Sequence, residues 1–248
     1  MSLRPTTNLK RLRRKAELHE RTTMRADDAF PSCPIPGCGR PPQARAGRGF
    51  SLTHCRFHIQ AKNRHGSFWK KTYSAATLRP YRRAAERFIK AYQTDFWIVA
   101  ALDAIRSLLV NAGPVERIVD VNELLSPPAK ARAALARLRR AEVPPVRLLI
   151  AYLAVAGALR EDPVQPGGEP GEYRRVQAAK AIFRLASGYH VIYSPNSRYD
   201  RYPRSGGLAL RHLGKMLEDA CEHVRNEHLA AILELKAASR GGCDAARR

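Results

Sequence analysis

Four candidate metal ligands fall within one short stretch of the chain: Cys33, Cys38, Cys55 and His58, spaced C-x4-C-x16-C-x2-H. Two close pairs separated by a loop are how a short segment supplies a single tetrahedral ion with four ligands. Gly37 and Gly39 flank Cys38 and permit the left-handed turns of a metal-binding knuckle. Ser51 or Thr53 can cap a helix that begins near Cys55, and Gly66 can end it. On such a helix Cys55 and His58 share one face of the first turn. His54 and His65 lie nearby, but His58 best completes a ligand pair on one turn. Knuckle, loop or hairpin, and helix together make a treble-clef-like arrangement. Three thiolates and an imidazole suit Zn2+, and four protein ligands leave no open position, so the expected site is structural rather than catalytic. Cys221 and Cys243 stand alone in the sequence, and Cys221 is expected in the core.

The segment from 33 to 66 resembles short zinc-binding segments of phage and mobile-element DNA-binding proteins. The likeness is carried by Cys33, Cys38, Arg40, Pro41, Ala44, Arg45, Cys55, His58, Arg64, His65 and Gly66. The loop before Cys55 is longer than in those segments, and Ile59 stands where an aromatic residue often follows the histidine. The resemblance implies a zinc-stabilised DNA-binding accessory module, of a kind sometimes attached to homing-type nucleases. It covers a small part of the chain, and the rest resembles no family.

Charge narrows the partner. The 248 residues carry 44 Lys+Arg against 22 Asp+Glu, a net charge of +22. Self-repulsion of that size disfavours a compact state, and a polyanionic partner is the usual reason to carry it. The excess is concentrated: from Ala29 to Ala85 there is no acidic residue and there are 11 Lys/Arg. These are Arg40, Arg45, Arg48, Arg56, Lys62, Arg64, Lys70, Lys71, Arg79, Arg82 and Arg83, the expected nucleic-acid contacts. A second candidate patch interleaves aromatics and arginines at Arg198, Tyr199, Arg201, Tyr202 and Arg204.

The expected fold is mainly α. Residues 1–30 form a basic tail with a short helix near 8–21, residues 31–73 the zinc module, and residues 74–248 a multi-helix body with a flexible loop at 161–172. Apolar residues at helical spacing, Tyr81, Ala85, Phe88, Tyr92, Phe96, Val99 and Leu102, predict one long helix over 78–110, capped by Thr77 with Pro80 in its first turn. Shorter helices follow near 115–124, 128–141, 145–160 and 173–187, and a strand or hairpin within 187–207. Leu210, Leu213, Leu217, Cys221, Val224, His228 and Ile232 predict a last long helix over 208–238. The longest apolar run, 148–159, is too short to span a bilayer and reads as a buried helix. The N-terminus is basic without an apolar core region, so no signal peptide is expected, and the expected location is the cytoplasm, at the nucleoid if DNA is bound. Reduced thiols there favour metal over disulfides.

These features point to a nucleic-acid-binding regulator or accessory factor of a mobile element, most naturally of DNA. RNA or ribonucleoprotein binding is the first alternative. An HNH-like nuclease is the second, but the zinc region offers no carboxylate to hold magnesium or act as base. A helical scaffold for protein partners is the third. A tyrosine-recombinase reading of 208–217 fails, since Leu208 stands where a histidine is needed and no tyrosine follows Tyr202. No P-loop or nucleophile elbow occurs, and no catalytic residue is expected.

Overall fold

Serine, proline or aspartate opens five of the eight described helices of this chain. The computed structural model describes residues 12, 32–42, 44–45, 49–50, 54–116, 124–163, 170–186, 191–194, 197–200 and 206–245. Among them the fold is mainly α. A two-residue ribbon, β1 (Ala44–Arg45) with β2 (Gly49–Phe50), precedes α1 (Arg56–His65), α2 (Ala75–Ala91), α3 (Phe96–Val110), α4 (Pro127–Arg140), α5 (Pro145–Glu161) and α6 (Pro170–Phe183). A 3-10 turn (Arg184–Ala186) and the hairpin β3 (Val191–Ser194) with β4 (Ser197–Asp200) lead to α7 (Gly207–Ala220) and α8 (Asn226–Ala245). The chain divides into two compact units, residues 1–60 and 61–248. The expected helices at 8–21 and 115–124 lie largely outside the described residues.

In the larger unit α5 is the central element. It packs against α2, α3, α6 and α8. Residues from Leu148 to Ala158 are buried almost without interruption, apart from the half-buried Ile150. Neighbours on several sides explain why its sequence shows no polar face. A second nucleus forms where α7 lies against α6, α4 and α3. At Gly214 the two helix backbones of α7 and α6 meet, and a Cβ there would stand 2.7 Å from the Arg175 Cα and closer still to its carbonyl. Glu218 fastens the same contact by accepting from Arg174 and Arg175. Burial works against the Glu218 carboxylate, but the two guanidinium groups hold it below the ordinary carboxylate range. At the other end of α5, Glu161 accepts from the Tyr81 hydroxyl at 2.7 Å and pairs with the buried Lys236, tying α2, α5 and α8 together.

The expected single helix over 78–110 is two helices. Ser74, not Thr77, caps the first, accepting from the Thr77 N–H at 3.0 Å, so Pro80 sits in the second turn rather than the first. The chain then turns at 92–95, and Asp95 Oδ1 starts the second helix by accepting from the N–H groups of Trp97 and Ile98, both at 3.0 Å. That turn resets the helical phase. Tyr81, Ala85 and Phe88 are buried as expected, whereas Tyr92, Phe96 and Val99 are exposed, Phe96 by 71%. The buried face of α3 is instead Ile98, Ala101, Ile105 and Leu109. Replacing Asp95 with Ala should cost about 1 kcal/mol, the usual worth of an N-cap, read as a lower midpoint in urea unfolding at unchanged slope.

The expected last helix over 208–238 is also interrupted, at 221–225. The Cys221 N–H closes α7 on the Leu217 carbonyl at 3.1 Å, and His228 Nδ1 accepts from the Arg225 N–H at 3.2 Å just ahead of α8. Here the phase survives: Leu210, Leu213, Leu217, Cys221 and Ile232 are all buried. Burial pushes the Cys221 thiol well up, as fits a core cysteine. The helices at 127–140 and 145–161 lie within a residue of expectation, each opened by proline. The expected loop at 161–172 is shorter at both ends, because Glu161 still belongs to α5 and Pro170 already opens α6.

Candidate metal centre

The smaller unit is built around its cysteines. The Cys33 N–H donates to the Arg40 carbonyl at 2.8 Å and the Cys38 N–H to the Ile35 carbonyl at 3.0 Å, closing a tight knuckle. The knuckle needs positive φ at Gly37 (75°) and Gly39 (57°), which glycine supplies without strain. The ribbon follows, pairing Ala44 with Phe50 and Arg45 with Gly49. Helix α1 then presents the second ligand pair, with the Ile59 N–H already bonded to the Cys55 carbonyl at 3.1 Å.

Cys33, Cys38, Cys55 and His58 converge, their donor atoms all lying within 4.8 Å of one another. Cys33 Sγ is 3.2 Å from His58 Nδ1, Cys55 Sγ is 3.4 Å from the same nitrogen, and Cys38 Sγ is 3.6 Å from Cys55 Sγ. A tetrahedral ion with bonds of about 2.3 Å to sulfur and about 2.0 Å to nitrogen would set its ligands about 3.5–3.8 Å apart. The four donors therefore fit one small tetrahedral ion. Among the described residues this is the one such cluster.

Burial shows what the cluster does for its unit. Among the described residues of 1–60, those that are buried are Cys33, Cys55 and His58, all of them candidate ligands. Among the described residues no apolar core stands beside them. The electrostatics agree. Burial opposes the Cys33 thiolate, but the backbone N–H groups of Cys55 and Ile35, with His58, bring that thiol down to about 6. At Cys38 the Arg40 N–H favours the thiolate, yet desolvation and the neighbouring Cys55 and Cys33 sulfurs raise it overall. Sulfurs this close hinder one another's ionisation, and a cation between them removes the conflict.

The expected nucleic-acid residues have mixed placements. Arg40 lies over the Phe57 ring at 5.4 Å, and Arg56 is exposed at the start of α1. The side chains of Arg45, Arg198 and Tyr199, and all of Arg48, Arg201, Tyr202 and Arg204, lie outside what is described. In the larger unit Lys62 pairs with Glu172 at 3.4 Å and Lys70 with Asp162 at 2.5 Å. Both carboxylates come from about a hundred residues downstream, so a stretch without acids in sequence is not without them in space. Arg64, Lys71, Arg79 and Arg83 are exposed and form no ion pair among the described residues. Arg82 is half-buried, with its Nε enclosed and unbonded.

Sequence reasoning left out two residues of α6 that organise this region. Gln177 donates to the His65 carbonyl at 2.7 Å and accepts from the Tyr73 N–H at 3.2 Å. Lys180 donates to Thr72 Oγ1 at 2.7 Å and lies 3.3 Å from His65 Nδ1. Burial, reinforced by Lys180, Arg64 and Lys71, brings His65 down to about 4, so the imidazole stays neutral at ordinary pH. Burial, with Arg184 and Arg64, brings Lys180 to about 8. Nothing near Gln177 or Lys180 in sequence marks them, because their partners lie more than a hundred positions away. No described helix is long and apolar enough to cross a membrane. Comparison of the whole chain with protein-family models, with curated proteins and with solved structures returned no match.

Proposed function

We propose that this chain is a zinc-stabilised nucleic-acid-binding protein of the cytoplasm, acting on DNA as a regulator or accessory factor of a mobile element rather than as an enzyme. Zinc is the ion we assign to the cluster, because Cys33, Cys38, Cys55 and His58 supply three sulfurs and one nitrogen at tetrahedral separations. When bound it supplies a cross-link that fixes the knuckle to α1. With four protein ligands no position is left for an activated water, which is the basis of the non-catalytic reading.

One observation carries the nucleic-acid reading. Arg64, Lys71, Lys180 and Arg184 crowd the surroundings of His65 closely enough to act on its titration or on that of Lys180. None of the four has a carboxylate partner among the described residues. Like charges gathered without counter-charges cost stability, and a polyanion relieves that cost while releasing its own counterions. Arg79 and Arg83 extend the exposed charge along α2.

Binding to duplex DNA, followed by fluorescence anisotropy across a salt series, should fall linearly on a log–log plot, with a slope of about −0.9 per phosphate neutralised. Changing Arg64, Lys71, Arg79 and Arg83 together to Gln should flatten that slope by about 3.6. Lys62 and Lys70 are poor choices for this test, since each holds an internal carboxylate. No binding at low salt defeats the proposal and favours a protein-interaction scaffold. Tighter binding to RNA competitors moves the target to RNA, and metal-dependent cleavage makes the protein a nuclease.

A further inference from the structure

The segment after α1, the first half of α2, the second half of α6 and the 3-10 turn enclose a cavity of about 180 Å³ in the larger unit. Three cationic residues line it, Arg82, Lys180 and Arg184, with Thr72 and Gln177 as polar neighbours and Leu78 in an apolar wall. No acidic residue is among the lining groups. The Arg82 Nε is buried and has no hydrogen-bond partner. A desolvated guanidinium N–H left unanswered is costly, and an acceptor in the cavity would relieve that cost if the side chain turned to bring the N–H to the wall. Lys180 spends one N–H on Thr72 and stands beside His65, which leaves its ammonium with donor capacity to spare. Gln177 is held at both ends of its amide, by the His65 carbonyl and the Tyr73 N–H, and it serves as the fixed frame of the cavity.

We propose that this cavity receives a phosphate monoester, its dianionic end held by Arg82, Lys180 and Arg184. Three converging cations match a charge of about −2 better than the single charge of a carboxylate or of a bridging phosphodiester. Planar guanidinium forks suit the paired oxygens of a phosphate, and the ammonium adds a point charge. The volume admits the phosphate and a few atoms of its ester, so recognition would rest on the terminal group rather than on a base. Such a group is found at the 5′ end of a nucleic-acid strand and on small phosphorylated metabolites. The chemistry of the cavity is the same for both, and it does not depend on the DNA-binding reading.

The test uses the full metal-loaded chain. Two single-stranded oligonucleotides of one sequence, labelled at the 3′ end, differ only in carrying a 5′-phosphate or a 5′-hydroxyl. Inorganic phosphate is titrated separately by calorimetry. The wild type should prefer the phosphorylated strand by about tenfold or more. Arg184→Gln, at an exposed position, should remove the preference with far-UV dichroism and unfolding midpoint unchanged, and Arg82→Met should do the same. If the strands bind alike but inorganic phosphate binds and is lost in Arg184→Gln, the cavity is a phosphate site whose source is a small molecule. Failure of both strands to bind at low salt defeats the nucleic-acid reading alone, since the calorimetric arm still reports on the cavity. The proposal is overturned if the wild type shows neither strand preference nor phosphate binding, or if either persists undiminished in both variants.

Discussion

Exchanging Cys38 for Ser should strip the chain of its metal and unfold residues 32–60 while the helical unit keeps its thermal transition. The expectation follows from where burial is found in the smaller unit: Cys33, Cys55 and His58, with no apolar cluster beside them among the described residues. Metal ligation in small modules of this kind contributes on the order of 10 kcal/mol to folding, far more than the knuckle's few hydrogen bonds can replace. Removing that sulfur also leaves the Cys33 and Cys55 thiols as buried polar groups without their common partner. The wild type should contain one zinc per chain by elemental analysis. In Cys38→Ser, amide exchange should accelerate across 32–60 and stay slow in α5. Stoichiometric zinc in a Cys33→Ser/Cys38→Ser double variant would sink the ligand assignment.

The second large effect is expected at Gly214. An alanine there has nowhere to put its methyl group, because the atoms it meets are backbone atoms of Arg175 rather than the yielding end of a side chain. Relief requires α6 and α7 to move apart. That loosens the contact fastened by Glu218 with Arg174 and Arg175, and it disturbs Leu213 and Leu217 on the same face of α7. Overpacking of this kind costs about 3 kcal/mol, which lowers the midpoint of thermal unfolding by on the order of 10 °C in a domain of this size. Gly206, near the start of α7, has open space where a Cβ would stand, and Gly206→Ala is the control that should leave the midpoint within about 2 °C. Equal midpoints for the two variants would show that the helices give way more easily than their approach implies.

What could be read from the sequence was local. The four ligands span a short stretch, and their spacing alone sets the knuckle and the first turn of α1. The helices at 127–140 and 145–161 are opened by prolines, whose fixed φ leaves little latitude. The two long helices were not legible as pairs, because neither break contains Gly or Pro. At 92–95 an aspartate cap ends one helical phase and begins another, so a stripe that continued on paper placed Phe96 and Val99 on the wrong side. At 221–225 the chain turns yet keeps its buried face, and the sequence looks continuous for that reason. Charge was least legible of all. Lys62 and Lys70 belong to an acid-free segment, yet Glu172 and Asp162 answer them from across the fold. Only tertiary structure separates those cations from Arg64, Lys71, Arg82, Lys180 and Arg184, which have no carboxylate partner among the described residues.

The clamp made by Gln177 bears on the order in which the protein is assembled. All four candidate metal ligands are synthesised before α2, and the loop they would close is short, so capture of an ion would be a fast and early event. The stretch between His65 and Tyr73 has no such autonomy. The side-chain amide that grips both of its ends lies 112 and 104 residues further on. Contacts of such separation form late, after the intervening helices have condensed. With an ion bound, the nascent chain would carry a closed knuckle followed by a basic segment that takes its final shape only once α6 has been made. Its exposed cations are meanwhile open to any polyanion in reach, and a nucleic acid bound at that stage would meet the segment before its fold is fixed.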